Sequence, residues 1–420
     1  MPLVYSIFAP HPPILVPEIG RGEERKCPAT LAAYRALAGN LAAARIDTVL
    51  LISPHAPLLR EGVALFQDEI LKGDFAQFGM PQVKLAFANH QPLAGRLAKE
   101  LPGGVLYSGR LDHGTLVPLY FLREAGWEGK LVVMSMPLAD PEGYGNIIRT
   151  VLQDYSEPIA LVASGDLSHR LKEDGPYGLH PSGPEFDRQI FEGLSRDPSA
   201  IKEIPQDLTE EAGECGWRSL RLALAVQQGM PKVFSYEGTF GVGYLVAELY
   251  QSSSLPQWAR QCLAAYLKTG TTQGLTPPDV PLLKLRRPCF VTLHKEGELR
   301  GCIGTTAPYR ENLAQEIEHN ALAAGKDDPR FWPVEAEELP ALTITVDVLG
   351  EMEKISGLEE LDPWRYGVVV RSRGRTGLLL PRLEGVNTAQ EQVTIAKHKA
   401  GLGLNEPVEM WRFEVVRYFE

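Results

Sequence analysis

The stretch IALVASGDLSHR, Ile159 to Arg170, reads as an apolar strand, Ile159–Ala163, that stops in a polar, glycine-containing turn carrying Asp166 and His169. The same arrangement occurs twice upstream, where Val4–Phe8 runs into Ala9-Pro10-His11 and Thr48–Ile52 into Ser53-Pro54-His55. Val105–Tyr107 and Lys130–Met134 are further strand candidates. Amphipathic stretches at Thr30–Arg45, Pro92–Glu100, Leu116–Glu124 and Glu142–Gln153 separate them. Strands alternating with helices predict an α/β domain whose sheet is flanked by helices. In such sheets ligands sit beyond the carboxyl ends of the strands, so the His- and Asp-bearing turns are where a site is expected.

Outward from this core, Pro184–Ser195 and Glu214–Gln228 read as helices, and Lys232–Glu248 as one or more glycine-containing strands. The polar break Gln251-Ser-Ser-Ser254 then marks a boundary, with a first domain expected over 1–252 and a second over 257–420. Leu255–Thr269 opens the second unit as a helix. Beyond it, Phe290–Leu293, Gly301–Ile303, Leu342–Leu349, Tyr366–Arg371 and Glu409–Tyr418 read as strands, with helices at Arg310–Ala324 and Thr388–Ala400. No internal repeat links the halves, so two different folds are expected.

The bulk composition limits the function classes. The 420 residues are 44% hydrophobic and 23% charged, a globular balance too long for one ordinary core. A net charge of −11 argues against a general role on nucleic acid, which calls for clustered Lys and Arg. The five cysteines are scattered without a CxxC pair, which excludes a zinc ribbon and a radical cluster within this chain and suits reduced thiols. The N-terminus MPLVYSIFAPHPP lacks a basic leader, and no apolar run approaches membrane-spanning length. A cytoplasmic protein without a membrane anchor is expected.

Four of the nine histidines, His11, His55, His113 and His169, lie in polar, glycine- or proline-rich turns of the first domain. A lone histidine is more often a structural hydrogen-bonder, but four at strand-to-helix junctions of one domain point to chemistry. Imidazole binds divalent iron, zinc and copper, and histidines left over can move protons near neutral pH.

The segments APHPP at His11, SPHAP at His55, DHGTLVPL at Asp112–Leu119, SGDLSHR at Ser164–Arg170 and GPEFD at Gly183–Asp187 resemble, in order and spacing, the class III extradiol ring-cleavage dioxygenases of the LigB group and the related Memo family. The resemblance covers about residues 1 to 250. It implies that His11 and His55 are metal ligands, with a third ligand near Glu214-Cys215-Gly216. Extradiol members use a glutamate there and Memo proteins a cysteine, so Cys215 is favoured with Glu214 close behind. The resemblance further implies His169 as the acid–base residue, His113 as a contact to oxygen or a substrate hydroxyl, and Asp166 as a lining residue. Fe(II) is the metal implied; a thiolate ligand widens the choice to copper or zinc. A small aromatic compound is the substrate class implied.

In the second half ELRGCIGT, Glu298–Thr305, stands out. Gly301 and Gly304 permit a tight turn or close approach, and Arg300 places a cation two residues from Cys302, a placement able to lower a thiol pKa. The reading preferred on sequence alone has Cys302 and Ile303 as buried strand residues and Arg300 paired with an acid. With DDPRFWPV at Asp327–Val334, EELPALTITVDVL at Glu337–Leu349 and GLLLP at Gly377–Pro381, this segment resembles the AMMECR-one domain family, an α+β fold. Both halves together resemble fused components of the AmmeMemoRadiSam system, which implies a radical-SAM protein as partner. Three functions follow: an iron-dependent dioxygenase-like enzyme, a module that carries or senses iron or copper, or an adaptor with a degenerate site.

Overall fold

Every residue of Thr48–Ser53 and of Ile159–Ser164 is buried, which puts these two strands at the centre of a sheet covered on both faces. The computed structural model describes residues 3–227, 229–383 and 385–420. The chain divides into two compact units, Met1–Gln251 and Ser252–Glu420.

The strands of the first unit are β1 Leu3–Ala9, β2 Thr48–Ser53, β3 Val63–Phe66, β4 Ile70–Phe75, β5 Met80–Ala88, β6 Gly104–Tyr107, β7 Lys130–Ser135, β8 Ile159–Ser164, β9 Lys232–Glu237 and β10 Tyr244–Gln251. Eight of them form one sheet in the order β6-β3-β7-β2-β8-β1-β10-β9, while β4 and β5 pair as a separate hairpin. The central strands β7, β2, β8 and β1 are parallel, and β3 and β10 join them antiparallel on either side. Because β2, β8 and β1 are parallel neighbours, their carboxyl ends open side by side. The turns carrying His55, Asp166 and His11 are therefore adjacent in space.

Helices cover this sheet. The helix His113–Glu124 starts earlier than its apolar pattern suggested, because the Asp112 side chain caps it by accepting the Thr115 N–H at 3.0 Å. The helix expected over Glu214–Gln228 begins only at Trp217 and is described to Val226; Gln228 lies outside the described residues. Its late start has a packing cause. A Cβ on Gly165 would fall 2.2 Å from the Gly216 Cα, so the chain before Trp217 is an irregular segment pressed on the turn after β8. The strand β3, the β4–β5 hairpin and the helix Gln206–Ala212 were not expected from sequence.

The second unit is an antiparallel sheet with helices, an α+β architecture. Its strands are β11 Cys289–Lys295, β12 Glu298–Gly304, β13 Leu342–Leu349, β14 Glu353–Ile355, β15 Tyr366–Ser372, β16 Arg375–Leu379 and β17 Glu409–Phe419. They run β12-β11-β13-β17-β15-β16, with β14 also on β17. Val291, Leu293, Ile344 and Val346 on one face pack against Trp258 and Leu263 of the helix Ser254–Thr269 and Ile317 of the helix Leu313–Lys326. Burying such side chains stabilises by about 1.5–3 kcal/mol each before entropy is charged against it. A second core forms where Val368, Val370 and Leu379 meet Val393 and Ala396 of the helix Ala389–Lys399.

Candidate metal centre

His11 follows β1 and is 2% exposed. Its backbone N–H donates to Asp166 Oδ1 at 2.9 Å, and its Nδ1 lies 2.9 Å from Ser164 Oγ. The Ser164 hydroxyl proton is already committed, since Oγ donates to the Gly114 carbonyl at 2.5 Å. That carbonyl is free because Pro118, one turn along the same helix, has no N–H to give it. Ser164 therefore accepts from His11 Nδ1–H, and this leaves His11 Nε2 as a bare lone pair. The proline of DHGTLVPL thus acts on the ring of His11 through one carbonyl and one hydroxyl.

Four groups face that lone pair. His55 Nε2 is 3.0 Å away, Cys215 Sγ 3.6 Å, and Asp166 Oδ2 3.7 Å. The His113 ring centroid lies 5.5 Å from that of His11 and 4.2 Å from that of His55. Donor atoms of His11, His55 and His113 lie within 4.8 Å of one another, as do those of His11, Asp166 and Cys215. The His55 N–H is held by Ser53 Oγ at 3.2 Å, and Ser53 Oγ in turn donates to Asp112 at 2.7 Å, so the helix cap and the β2 turn are fixed together. Cys215 is fixed by reciprocal bonds with Asp166: its N–H donates to the Asp166 carbonyl and its Sγ accepts the Asp166 N–H, both at 3.3 Å. Glu214 is oriented elsewhere. Its carboxylate accepts the Trp217 N–H at 2.6 Å, at the start of the following helix.

The electrostatics of the cluster follow from burial. His11 is held well below the usual histidine range by burial and then by His55, His113 and His169. His113 is pushed down to about 4 by burial and His55, and His55 is lowered by burial against a small pull from Asp112. Asp166 is pushed up to about 7 by burial, opposed by the His11 N–H, and the Cys215 thiol is raised by burial and by Asp166. Glu214 is also raised by burial, to about 7. Neutral imidazoles whose lone pairs converge beside a thiol and a carboxyl are suited to a cation. Metal–ligand bonds of roughly 2.0–2.3 Å set neighbouring donors roughly 3–3.8 Å apart, the range in which His55, Cys215 and Asp166 stand from His11 Nε2. The residues fit a divalent metal.

His169 stands beside the cluster. Its backbone N–H bonds to the Ala212 carbonyl at 3.2 Å, its pKa is lowered by burial, and its Nδ1 is buried with no hydrogen-bond partner. The turn that carries it is secured by Asp187, the last residue of GPEFD, which accepts the Ser168 N–H at 2.8 Å and the Tyr236 hydroxyl at 2.6 Å. Two aromatic residues that sequence reading did not single out flank the histidines. Phe78, at the tip of the β4–β5 hairpin, meets His113 edge-on at 5.5 Å, and the exposed Tyr177 meets His169 at 5.4 Å. Ser53, Ser164 and Pro118 were likewise passed over, although each belongs to a segment whose histidine or aspartate was noticed.

The ELRGCIGT segment of the second unit is arranged differently. Arg300 does not serve Cys302. Its guanidinium bonds Glu338 at 2.9 Å and the carbonyls of Trp332 and Pro333 at 2.8 and 3.3 Å. The Cys302 thiol is raised by burial, not lowered, and the cation that opposes this is Arg330. Of the two readings, the one with Arg300 paired to an acid and Cys302 in a strand is found, and the acid is distant in sequence. Asp328 accepts the Cys302 N–H at 2.8 Å, so the DDPRFWPV loop and the glycine motif do share one surface. The glycines serve packing. A Cβ on Gly301 would lie 2.2 Å from the Ala324 carbonyl, and one on Gly304 would enter the Phe290 ring.

Comparison with known proteins agrees with this division. Residues 5–247 match the family model described as the catalytic LigB subunit of aromatic ring-opening dioxygenase, and residues 256–418 match AMMECR1. A protein of Clostridium acetobutylicum is 37% identical across 98% of this chain and 98% of its own length. A Thermotoga maritima protein is 48% identical over 39% of this chain and 95% of its own length. Among solved structures, an uncharacterized Pyrococcus horikoshii protein is 32% identical over 39% of this chain and 88% of that one, with a TM-score of 0.36.

Proposed function

Because this chain belongs to the LigB family of aromatic ring-opening dioxygenase catalytic subunits through its first unit, and to the AMMECR1 family through its second, we propose that it is a metal-dependent, extradiol-dioxygenase-like oxidoreductase that uses Fe(II) on a small aromatic substrate. The observation that carries this reading is the pair of Nε2 atoms of His11 and His55, 3.0 Å apart, with the His11 proton committed to Ser164. His11, His55 and Cys215 would hold the metal, with Asp166 beside them. When bound, iron would supply open positions where oxygen and the substrate's oxygens meet.

The chain's own residues would then do three things. Ser164, fixed by Gly114, keeps His11 in the ligating tautomer. His169, whose buried Nδ1 has no hydrogen bond among the described residues, takes a proton from a substrate hydroxyl and returns it later in the turnover. His113 donates to an oxygen of the bound substrate, and Phe78 and Tyr177 offer aromatic walls on either side. We assign these roles to a domain at 1–252, with a separate domain at 257–420. A radical-SAM protein is the proposed partner, and a reducing cytoplasm the proposed location. All five cysteines are free, and among the described residues no helix is long and apolar enough to cross a membrane.

Cys215 favours a second reading, in which the site carries or senses iron or copper without ring cleavage, because a thiolate softens the ligand set. One experiment separates the two. The chain is loaded anaerobically with Fe(II), metal is counted, and oxygen uptake is followed on adding catechols. The enzyme reading expects uptake that falls by about 10²–10⁴ in His169→Ala with iron retained. No uptake with any diphenol at full iron loading would remove ring cleavage and leave the metal-carrying reading. An adaptor would bind its partner equally well after His11→Ala.

A further inference from the structure

The outer strands of the two sheets are treated unequally. At one end of the large sheet, β9 starts with the exposed Lys232 and ends with Glu237, whose carboxylate accepts the Thr30 N–H and hydroxyl at 2.7 and 2.6 Å. In the second unit the outer strand β12 is closed by its own loop: the Cys302 N–H donates to Asp328 at 2.8 Å, and the Cys302 carbonyl accepts from Arg330 at 3.3 Å. Charge, covering and shortness are ways in which folded proteins blunt a strand edge. β6, at the other end of the large sheet, is short, at four residues, but is neither charged nor covered along its edge. Its sequence GVLY is uncharged, and Val105, Leu106 and Tyr107 are 46%, 48% and 36% exposed.

The ladder to β3 determines which backbone groups of β6 are turned outward. Val63 N–H donates to the Gly103 carbonyl and Gln67 N–H to the Tyr107 carbonyl, in a parallel register that sets Leu65 beside Leu106. Odd-numbered residues therefore face β3, and Leu106 turns its N–H and its carbonyl to the open side. An antiparallel strand can meet both groups at once.

We propose that β6 is a homodimer edge, pairing antiparallel with β6 of a second copy about a two-fold axis through Leu106 and joining two eight-stranded sheets into one. The absence of opposed like charges argues for a second copy as the occupant. Leu106 stands opposite itself as a hydrogen-bonded pair, and Val105 stands opposite the partner's Tyr107, an aromatic and a β-branched side chain on one face. Outward from the axis, Gly104 stands opposite the partner's Ser108, but its N–H already donates to the Leu101 carbonyl at 3.0 Å, so the pairing centres on Leu106. Across Pro102–Arg110 the single charged residue is Arg110, which meets the partner's Pro102, so no like charges oppose one another. One short uncharged strand supplies both sides of a self-complementary contact.

Sedimentation of the full chain tests this. The wild type is expected as a dimer and Leu106→Lys as a monomer, with unchanged far-UV circular dichroism and a melting temperature that, unlike the wild type's, does not depend on protein concentration. Hydrogen-bonded antiparallel partners have Cα atoms about 5.5 Å apart, within disulfide reach, so Leu106→Cys is expected to cross-link to a covalent dimer on oxidation while Ser108→Cys does not. A monomeric wild type overturns the proposal. So does a dimer that survives Leu106→Lys, and so does failure of Leu106→Cys to cross-link.

Discussion

The two units each display a glycine-bearing segment that ends or forms a strand and holds polar residues, and they put those residues to opposite uses. In SGDLSHR and its companions, hydrogen bonds are handed inward until His55 Nε2 and Cys215 Sγ are both left facing His11 Nε2. In ELRGCIGT the conspicuous groups are consumed by the fold: Arg300 by Glu338 and two carbonyls, the Cys302 backbone by Asp328 and Arg330, the glycines by a helix carbonyl and a phenyl ring. A site is recognised by what its donors have left over after the structure has used them. Prominence in the sequence does not measure that.

Substitutions can break this contrast from either side. His11→Ala removes the shared donor and should lower metal affinity by more than about a hundredfold, above the effect known for residues one step behind a ligand, as read by competition titration. Asp328→Ala should leave metal affinity unchanged but unpair the Cys302 N–H, costing about 1–3 kcal/mol of stability of the second unit by denaturant unfolding. A loss of metal there would mean that the two motifs are not separate. Ser164→Ala frees the His11 tautomer and should weaken metal binding by about 10–100-fold without touching a ligand.

Acid sharpens the comparison. Glu338 is held down to about 2 by Arg300 and Lys295, and Asp328 well below the usual carboxylate range by Arg330. Folded-state values below the unfolded ones mean that these pairs stabilise fully above the unfolded carboxylate range, about pH 4, and that this is lost as pH falls through the folded values. Calorimetry should therefore show the second unit losing stability on acidification, and Glu338→Gln should flatten that slope. The smallest effect is expected for Pro118→Ala. It restores an N–H opposite the Gly114 carbonyl, competes with Ser164, and should weaken metal binding a few-fold while leaving melting unchanged or higher.

Much of this was legible in the residues because the informative features are local. An apolar run followed by Pro-His or Gly-Asp locates a strand end, and parallel neighbours bring such ends together wherever the intervening helices lie. What escaped depends on partners far along the chain. That Arg300 pairs with an acid was readable, but not that the acid is Glu338, far along the chain. Glu214 and Cys215 are adjacent, yet one caps the following helix while the other, held by Asp166 and by the close approach of Gly216 to Gly165, faces His11. The four-residue β3 was too short to separate from a buried loop, and the β4–β5 hairpin stands off the main sheet, so neither took part in the alternation that revealed the rest.

X-ray absorption on the metal-loaded chain, alongside Cys215→Ser, probes the convergence of these donors most directly. The prediction is one sulfur scatterer at about 2.3 Å among nitrogen and oxygen neighbours, lost in Cys215→Ser. A shell of nitrogen and oxygen alone in the wild-type chain, or a spectrum that Cys215→Ser and His11→Ala leave unchanged, would contradict it.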